Sequence, residues 1–282
     1  MTTPALAVTG ATGFLGGRVA ADLAARGIPQ LLVVRSPERA PRLAGAEVRS
    51  ASYGDRDAAV AALRGADTLF LVSAAESSDR LQQHRTVVDA AAEAGVAHVV
   101  YTSFAAAAPD AVFTLARDHF HTEQHIRESG MAWTFLRDSF YAEFMELMVG
   151  DDGAIRGPAA DGRVAIVARD DIVRTAVAVL LDPSAHAGRT YDLTGPEALT
   201  LTEVADTLSR ARGRSIRFEN ETVPEAYASR AHYGAPDWEV DAWVSTYTAI
   251  ASGDMATVSG DIETVTGTPA QSFSSWLRTH DR

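Results

Sequence analysis

Three glycines stand three residues apart near the start of the chain, in the run Gly10-Ala11-Thr12-Gly13-Phe14-Leu15-Gly16. Between an apolar strand and a helix, such glycines allow a tight turn, a close approach of backbone to pyrophosphate, and close packing of helix on strand. The helix that follows would aim unpaired N–H groups and a partial positive charge at the same phosphates. Gly10, Thr12, Gly13, Phe14, Leu15 and Gly16 are therefore the first candidate binding set. Arg35 is the second, because it closes the next apolar run, residues 31–34. At that place an Asp or Glu would accept from an adenosine 2′-hydroxyl, whereas an arginine suits a 2′-phosphate through its bidentate fork. Arg39 follows one helical turn later and could assist. The pattern predicts NADP(H) as cofactor, with a solvated surface arginine as the competing explanation of Arg35.

Hydride transfer to a carbonyl needs an acceptor held against the nicotinamide and usually a proton donor, while the cofactor carries the hard chemistry. Tyr141 and His119 are the candidate catalytic donors, a histidine being able to deliver a proton near neutral pH. Tyr141 could equally be an aromatic packed beside Phe140 and Phe144, and His119 a helix-surface or nucleotide-contact residue. Ser73 and Ala74 end the fourth strand-like run, and Thr102 and Ser103 the fifth. That is where the carboxyl edge of a parallel sheet meets its ligand. His121 and His125 share a helix face, but Glu123 does not complete the His-Glu-x-x-His order and no third ligand is evident, so no metal site is expected. The chain has no Gly-x-Ser-x-Gly elbow for a serine hydrolase.

These residues need a scaffold, and the periodicity supplies one. Residues 5–8, 31–34, 46–51, 68–72, 96–101 and 132–136 read as strands. They alternate with helical spacing over 15–25, 57–63, 79–94 and 118–128, and most of these helices close at a glycine. The strand runs are continuously apolar rather than alternating, so both faces are covered, which marks a parallel sheet with helices on each side. The expected fold is α/β, a Rossmann-type doubly wound parallel sheet over residues 1–150, with a smaller C-terminal α/β lobe over 151–282 partly interleaved with it. In that lobe 164–167 and 191–193 read as strands, 170–181 as a helix, and 202–211 as a helix capped by Thr202. Residues 224–266, with Trp238, Trp243 and Tyr247, read as helical and looped.

Composition narrows the chemistry. There is no cysteine among the 282 residues, and every one of the 25 basic side chains is arginine. Thiolate, Schiff-base and P-loop-lysine chemistry are excluded, and so is a Tyr-x-x-x-Lys catalytic pair. A net charge of −12 argues against nucleic acid. No apolar run is long enough to span a membrane, and a cytoplasmic protein is the expectation.

Taken together, these segments resemble the NmrA-like atypical short-chain dehydrogenases. Val8-Thr9-Gly10-Ala11-Thr12-Gly13-Phe14-Leu15-Gly16 looks like the family's opening strand and turn. Tyr101-Thr102-Ser103, His119-x-x-Thr122-Glu123, Ser129-Gly130 and Thr134-x-Leu136-Arg137 look like its fifth strand, central helix and sixth strand. Tyr191-Asp192-Leu193-Thr194-Gly195 and Pro269-x-x-Ser272-Phe273 are similar to its C-terminal part. Within Ser52-Tyr53-Gly54-Asp55 the resemblance puts Asp55 near the adenine. It also implies an oxidoreductase, nearest to the bacterial NADPH-dependent quinone oxidoreductases, acting on a quinone-like or other small carbonyl acceptor. The chain departs from the pattern at Asp138, where relatives often carry Asn or Pro after Leu-Arg. A non-catalytic NADP(H)-binding redox sensor with a protein partner is the rival reading, and an isomerase or cyclase on the same fold is a third. A homodimer stays open.

Overall fold

The computed structural model describes residues 5–280. The elements in chain order are β1 (Leu6–Thr9), α1 (Phe14–Ala25), β2 (Gln30–Val34), β3 (Ala46–Ser50), α2 (Arg56–Leu63), β4 (Thr68–Leu71) and α3 (Arg80–Ala94). Next come β5 (His98–Phe104), α4 (Thr114–Glu128), β6 (Ala132–Asp138), α5 (Ala142–Leu147), β7 (Ala154–Gly157), β8 (Arg163–Val164), α6 (Arg169–Leu181) and β9 (Arg189–Leu193). The chain ends through β10 (Leu199–Thr200), α7 (Leu201–Arg212), β11 (Arg217–Asn220), α8 (Val223–Arg230), α9 (Asp237–Ser252), α10 (Asp261–Thr266) and α11 (Phe273–Thr279).

Seven strands form one sheet in the order β3-β2-β1-β4-β5-β6-β9. The pairings β2–β3, β1–β2, β1–β4 and β4–β5 are all parallel. Every residue of β1 and β2 is buried, which explains their unbroken apolar runs. The strand order reverses between β1 and β4. In a doubly wound sheet the ligand crevice lies beyond the carboxyl ends of the strands flanking that reversal. Gly10 follows β1, Arg35 follows β2 and Ser73 lies just beyond β4.

The sequence predicts a boundary near residue 150 with the second lobe partly interleaved with the first. The chain groups into one unit of residues 1–103, 118–137 and 172–191, and a second of 104–117, 138–171 and 192–282. The first unit is built around a core that includes Leu31, Leu63, Leu69, Leu71, Val99, Tyr101 and Phe135. The second has its own core, including Phe113, Phe140, Met145, Ile155, Leu201, Ile250 and Trp276.

Several boundaries differ from expectation. Thr200, not Thr202, caps α7: its hydroxyl accepts the Glu203 N–H while the Glu203 carboxylate accepts the Thr200 N–H. This reciprocal capping box satisfies two N–H groups at the helix end that would otherwise go unpaired. Helix α4 begins at Thr114, one turn before the expected residue 118. Of the strand expected at 164–167 only β8 forms, with Val167 making an isolated bridge to Tyr141. Strands β7 and β11 pair with each other in a small parallel ribbon that no apolar run announces.

Candidate active site

In the first unit a cleft of about 270 Å³ opens at the strand-order reversal. Gly10, Thr12, Arg35, Ser73 and Ala74 line it, so five of the sequence candidates meet there. Tyr53, Val72, Glu76 and Gln83 line it too, and sequence reading had not selected them.

The glycines take distinct roles. Gly10 holds φ +65°, in the left-handed region that favours glycine. At Gly16 an added Cβ would come within 2.5 Å of the Thr9 and Gly10 backbone, so this glycine permits helix–strand contact. A Cβ at Gly13 would meet only the Gly10 carbonyl oxygen, at 3.4 Å, which leaves the backbone open to a group approaching from the cleft. Gly13 is the N-cap of α1 and offers no side chain to its first turn. A helix start of this kind can receive an anion at its first N–H groups. Leu15 sends its side chain into the core, so only its backbone could face a ligand. Phe14 is exposed, with the Arg18 guanidinium 5.7 Å from its ring centroid.

Arg35 is exposed at the cleft and makes no ion pair among the described residues. Beside it, the Tyr53 hydroxyl is 2.6 Å from both Thr9 Oγ1 and the Val72 carbonyl oxygen, and burial holds the phenol protonated. A glycine cradle, an uncapped helix start and an unpaired guanidinium suit the pyrophosphate and 2′-phosphate of a dinucleotide. Asp55 does not line this cleft. It caps α2, its carboxylate accepting the Ala58 N–H at 3.1 Å.

Thr102 and Ser103 lie under the cleft wall rather than on it. Thr102 Oγ1 accepts the Ser73 N–H at 2.8 Å. The Ser103 hydroxyl donates to Glu123 at 2.6 Å. Glu123 is fully buried, and Arg137 meets it with two bonds, Nε to Oε1 at 2.8 Å and Nη2 to Oε2 at 2.7 Å. The planar fork of the guanidinium matches the two carboxylate oxygens.

His119 is a correction. It is 5% exposed, its Nε2 lies 2.9 Å from Arg80 Nη2, and its Nδ1 lies 2.9 Å from the Tyr101 hydroxyl. Guanidinium can only donate, so Nε2 accepts and the ring proton sits on Nδ1. Burial first, then the Arg80 charge, holds the imidazole neutral, its pKa well below the ordinary histidine range. With both nitrogens committed, His119 has no proton to offer a substrate. Of the remaining histidines on α4, His125 pairs with Asp89 at 2.7 Å and His121 packs on Phe120.

Tyr141, in the second unit, is half-buried and donates its hydroxyl to Asp138 Oδ2 at 3.1 Å. Asp138 is 1% exposed, and its other oxygen, Oδ1, has no hydrogen-bond partner among the described residues. Burial pushes the Asp138 carboxyl well above its usual range, against the smaller opposing effect of the Tyr141 bond. Burial and then the neighbouring Asp138 raise the Tyr141 phenol.

The second unit also holds an aromatic cavity of about 610 Å³, lined in part by Phe144, Met148, Tyr233, Trp243 and Tyr247. Of the three aromatics Trp238, Trp243 and Tyr247, the last two line this cavity and Trp238 does not. Two arginines border the cavity, and both are neutralised. Arg156 pairs with Asp152 and Glu219, and Arg230 pairs with Glu221 while lying 5.2 Å from the Tyr247 ring centroid. Gly157 is required here, because a Cβ would land on the Tyr247 ring.

Residues 2–251 match the model of the NmrA-like family. The chain belongs to that family. It is 34% identical to quinone oxidoreductase 2 of Escherichia coli, across 95% of this chain and 97% of that protein. It is 38% identical to the (4-alkanoyl-5-oxo-2,5-dihydrofuran-3-yl)methyl phosphate reductase of Streptomyces griseus, across 97% of this chain and 96% of that one. Among solved structures, an NADPH-dependent quinone oxidoreductase of Escherichia coli in complex with NADPH superposes with a TM-score of 0.87 at 31% identity. That match covers 97% of this chain and 99% of its counterpart. Among the described residues no helix is long and apolar enough to cross a membrane.

Proposed function

We propose that this chain reduces an uncharged, flat, quinone-like acceptor with NADPH. Full-length relatives are reductases, and the chain is an oxidoreductase that uses NADP(H). The observation that carries the cofactor preference is the unpaired Arg35 on the same cleft as Gly10 and Thr12. The backbone N–H groups of the glycine turn would hold the pyrophosphate, and Arg35 the 2′-phosphate. When bound, the cofactor supplies a hydride.

The aromatic cavity of the second unit supports the acceptor class. Its lining includes the rings of Phe144, Tyr233, Trp243 and Tyr247, and among the described residues each of its two arginines already has a carboxylate, so neither guanidinium is free to hold an anionic acceptor. Tyr141 stays the candidate proton donor of this reading; its hydroxyl hydrogen is held by Asp138 at 3.1 Å, so donation to an acceptor requires that bond to break. A quinone, once reduced, needs little more than positioning and a proton, which fits a site without lysine.

Stopped-flow loss of NADPH absorbance against a panel of quinones, with charged and uncharged members, tests this. Multiple turnover that favours the uncharged members is expected. Cofactor binding with no turnover on any acceptor would overturn the reading in favour of a sensor, which requires unequal affinities for NADP⁺ and NADPH.

A further inference from the structure

The wall of the cleft after β4 is held from behind by three side chains from two elements, β5 and α3. Thr102, on β5, accepts the Ser73 N–H at 2.8 Å. His84, on α3, accepts the Ala74 N–H through Nε2 at 2.8 Å. Arg80, in the first turn of α3, donates through Nε to the Ala74 carbonyl at 2.9 Å. Both polar groups of one residue in a cleft-lining loop are therefore held by side chains beneath it.

The directions of the His84 bonds to Ala74 and Thr122 are determined. Because Nε2 accepts a backbone N–H, the ring proton is on Nδ1, which donates to Thr122 Oγ1 at 2.9 Å. The Thr122 hydroxyl in turn donates to the Asp118 carbonyl at 2.7 Å. His84 is fully buried, so no water competes for the Ala74 N–H on that side. Arg80 is 4% exposed and spends its other contacts on Asp118 and His119. Burying a guanidinium and a neutral imidazole is costly, and a merely stable core would be served better by apolar side chains. What this pair does instead is fix the Ala74 peptide.

We propose that His84 and Arg80 are positioning residues which, with Thr102, clamp the Ser73 and Ala74 peptides and so set the shape of the wall that receives the nucleotide. The proposal rests on NADP(H) occupying this cleft.

Two substitutions at one position separate the clamp from the core. In His84→Asn the amide ends where Nδ1 was, keeping the donor to Thr122 and losing the acceptor for Ala74. In His84→Gln the amide oxygen can reach the place of Nε2 and keep that acceptor. Amide exchange at Ala74 in the free protein is measured first, followed by NADPH titration. Ala74 exchange is expected to accelerate in His84→Asn and stay slow in His84→Gln. NADPH affinity is expected to fall about tenfold in the Asn variant, the cost of a lost buried hydrogen bond, with most of it restored in the Gln variant. Thr102→Val, which deletes only the acceptor for Ser73, provides a second arm should His84→Asn not fold, and it too should weaken NADPH. Unaltered Ala74 exchange in His84→Asn, or unaltered NADPH affinity in the folded variants, overturns the proposal. Because exchange is read without cofactor, its outcome stays separate from failure of wild-type protein to bind NADPH.

Discussion

Arg80 Nη2 donates to His119 Nε2 across 2.9 Å inside the first unit, so a buried cation rests on an imidazole that must stay neutral. His84, lowered to about 3 chiefly by burial and then by the same Arg80 charge, shares this constraint. His98 is also lowered, again chiefly by burial.

The first prediction is acid lability. Below the ordinary histidine pKa the unfolded chain takes up protons that the folded chain refuses, so stability falls as pH drops from about 6.5 towards about 3. Urea midpoints measured between pH 7 and pH 4 should fall less steeply in His84→Gln than in wild type. Parallel curves would show that His84 titrates normally.

Asp138 predicts the opposite sign. Its folded carboxyl holds a proton that the unfolded one releases above about pH 4, so its burial costs more stability as pH rises. Asp138→Asn should therefore gain on wild type between pH 5 and pH 8 in the same urea measurement. A constant difference would mean that the carboxyl ionises normally in place.

Arg35→Asp should weaken NADPH roughly 10- to 100-fold, the loss of a charge-assisted bond plus a new repulsion, and change NADH far less. Fluorescence titration with both cofactors decides it. Equal losses for the two would remove Arg35 from 2′-phosphate recognition.

The glycine turn predicts a split between folding and binding. Gly16→Ala overlaps the Thr9 and Gly10 backbone and should cost stability by about 1–3 kcal/mol or more, seen as a lower Tm. Gly13→Ala meets no such wall, so it should keep its Tm while losing NADPH affinity. A normal Tm for Gly16→Ala would contradict the close helix–strand contact.

The glycine turn and Arg35 were legible because they depend on local order: a strand, three glycines, a helix, and the end of the next strand. Continuous burial of β1 and β2 made their apolar runs equally readable. Tyr53 and Gln83 were not legible, since they reach the cleft only through tertiary placement, Tyr53 through its hydroxyl at Val72 and Thr9. His119 looked free on a helix because nothing local announces that Arg80, 39 residues earlier, would meet it. Strand β11, Arg-Phe-Glu-Asn, carries one apolar residue and exists through its partner β7. Thr200 was the exception, since the Thr-x-x-Glu capping signal lay in the sequence two residues before the cap assigned.

The chain crosses between its two units five times, at residues 103, 117, 137, 171 and 191. During synthesis the first unit lacks its last segment until residue 191 has emerged, by which time two stretches of the second unit are already waiting for partners. Neither half can be released as a finished domain by cutting the chain once. Ribosome-bound intermediates will therefore expose apolar surface late, and long-range closure sets the pace of folding.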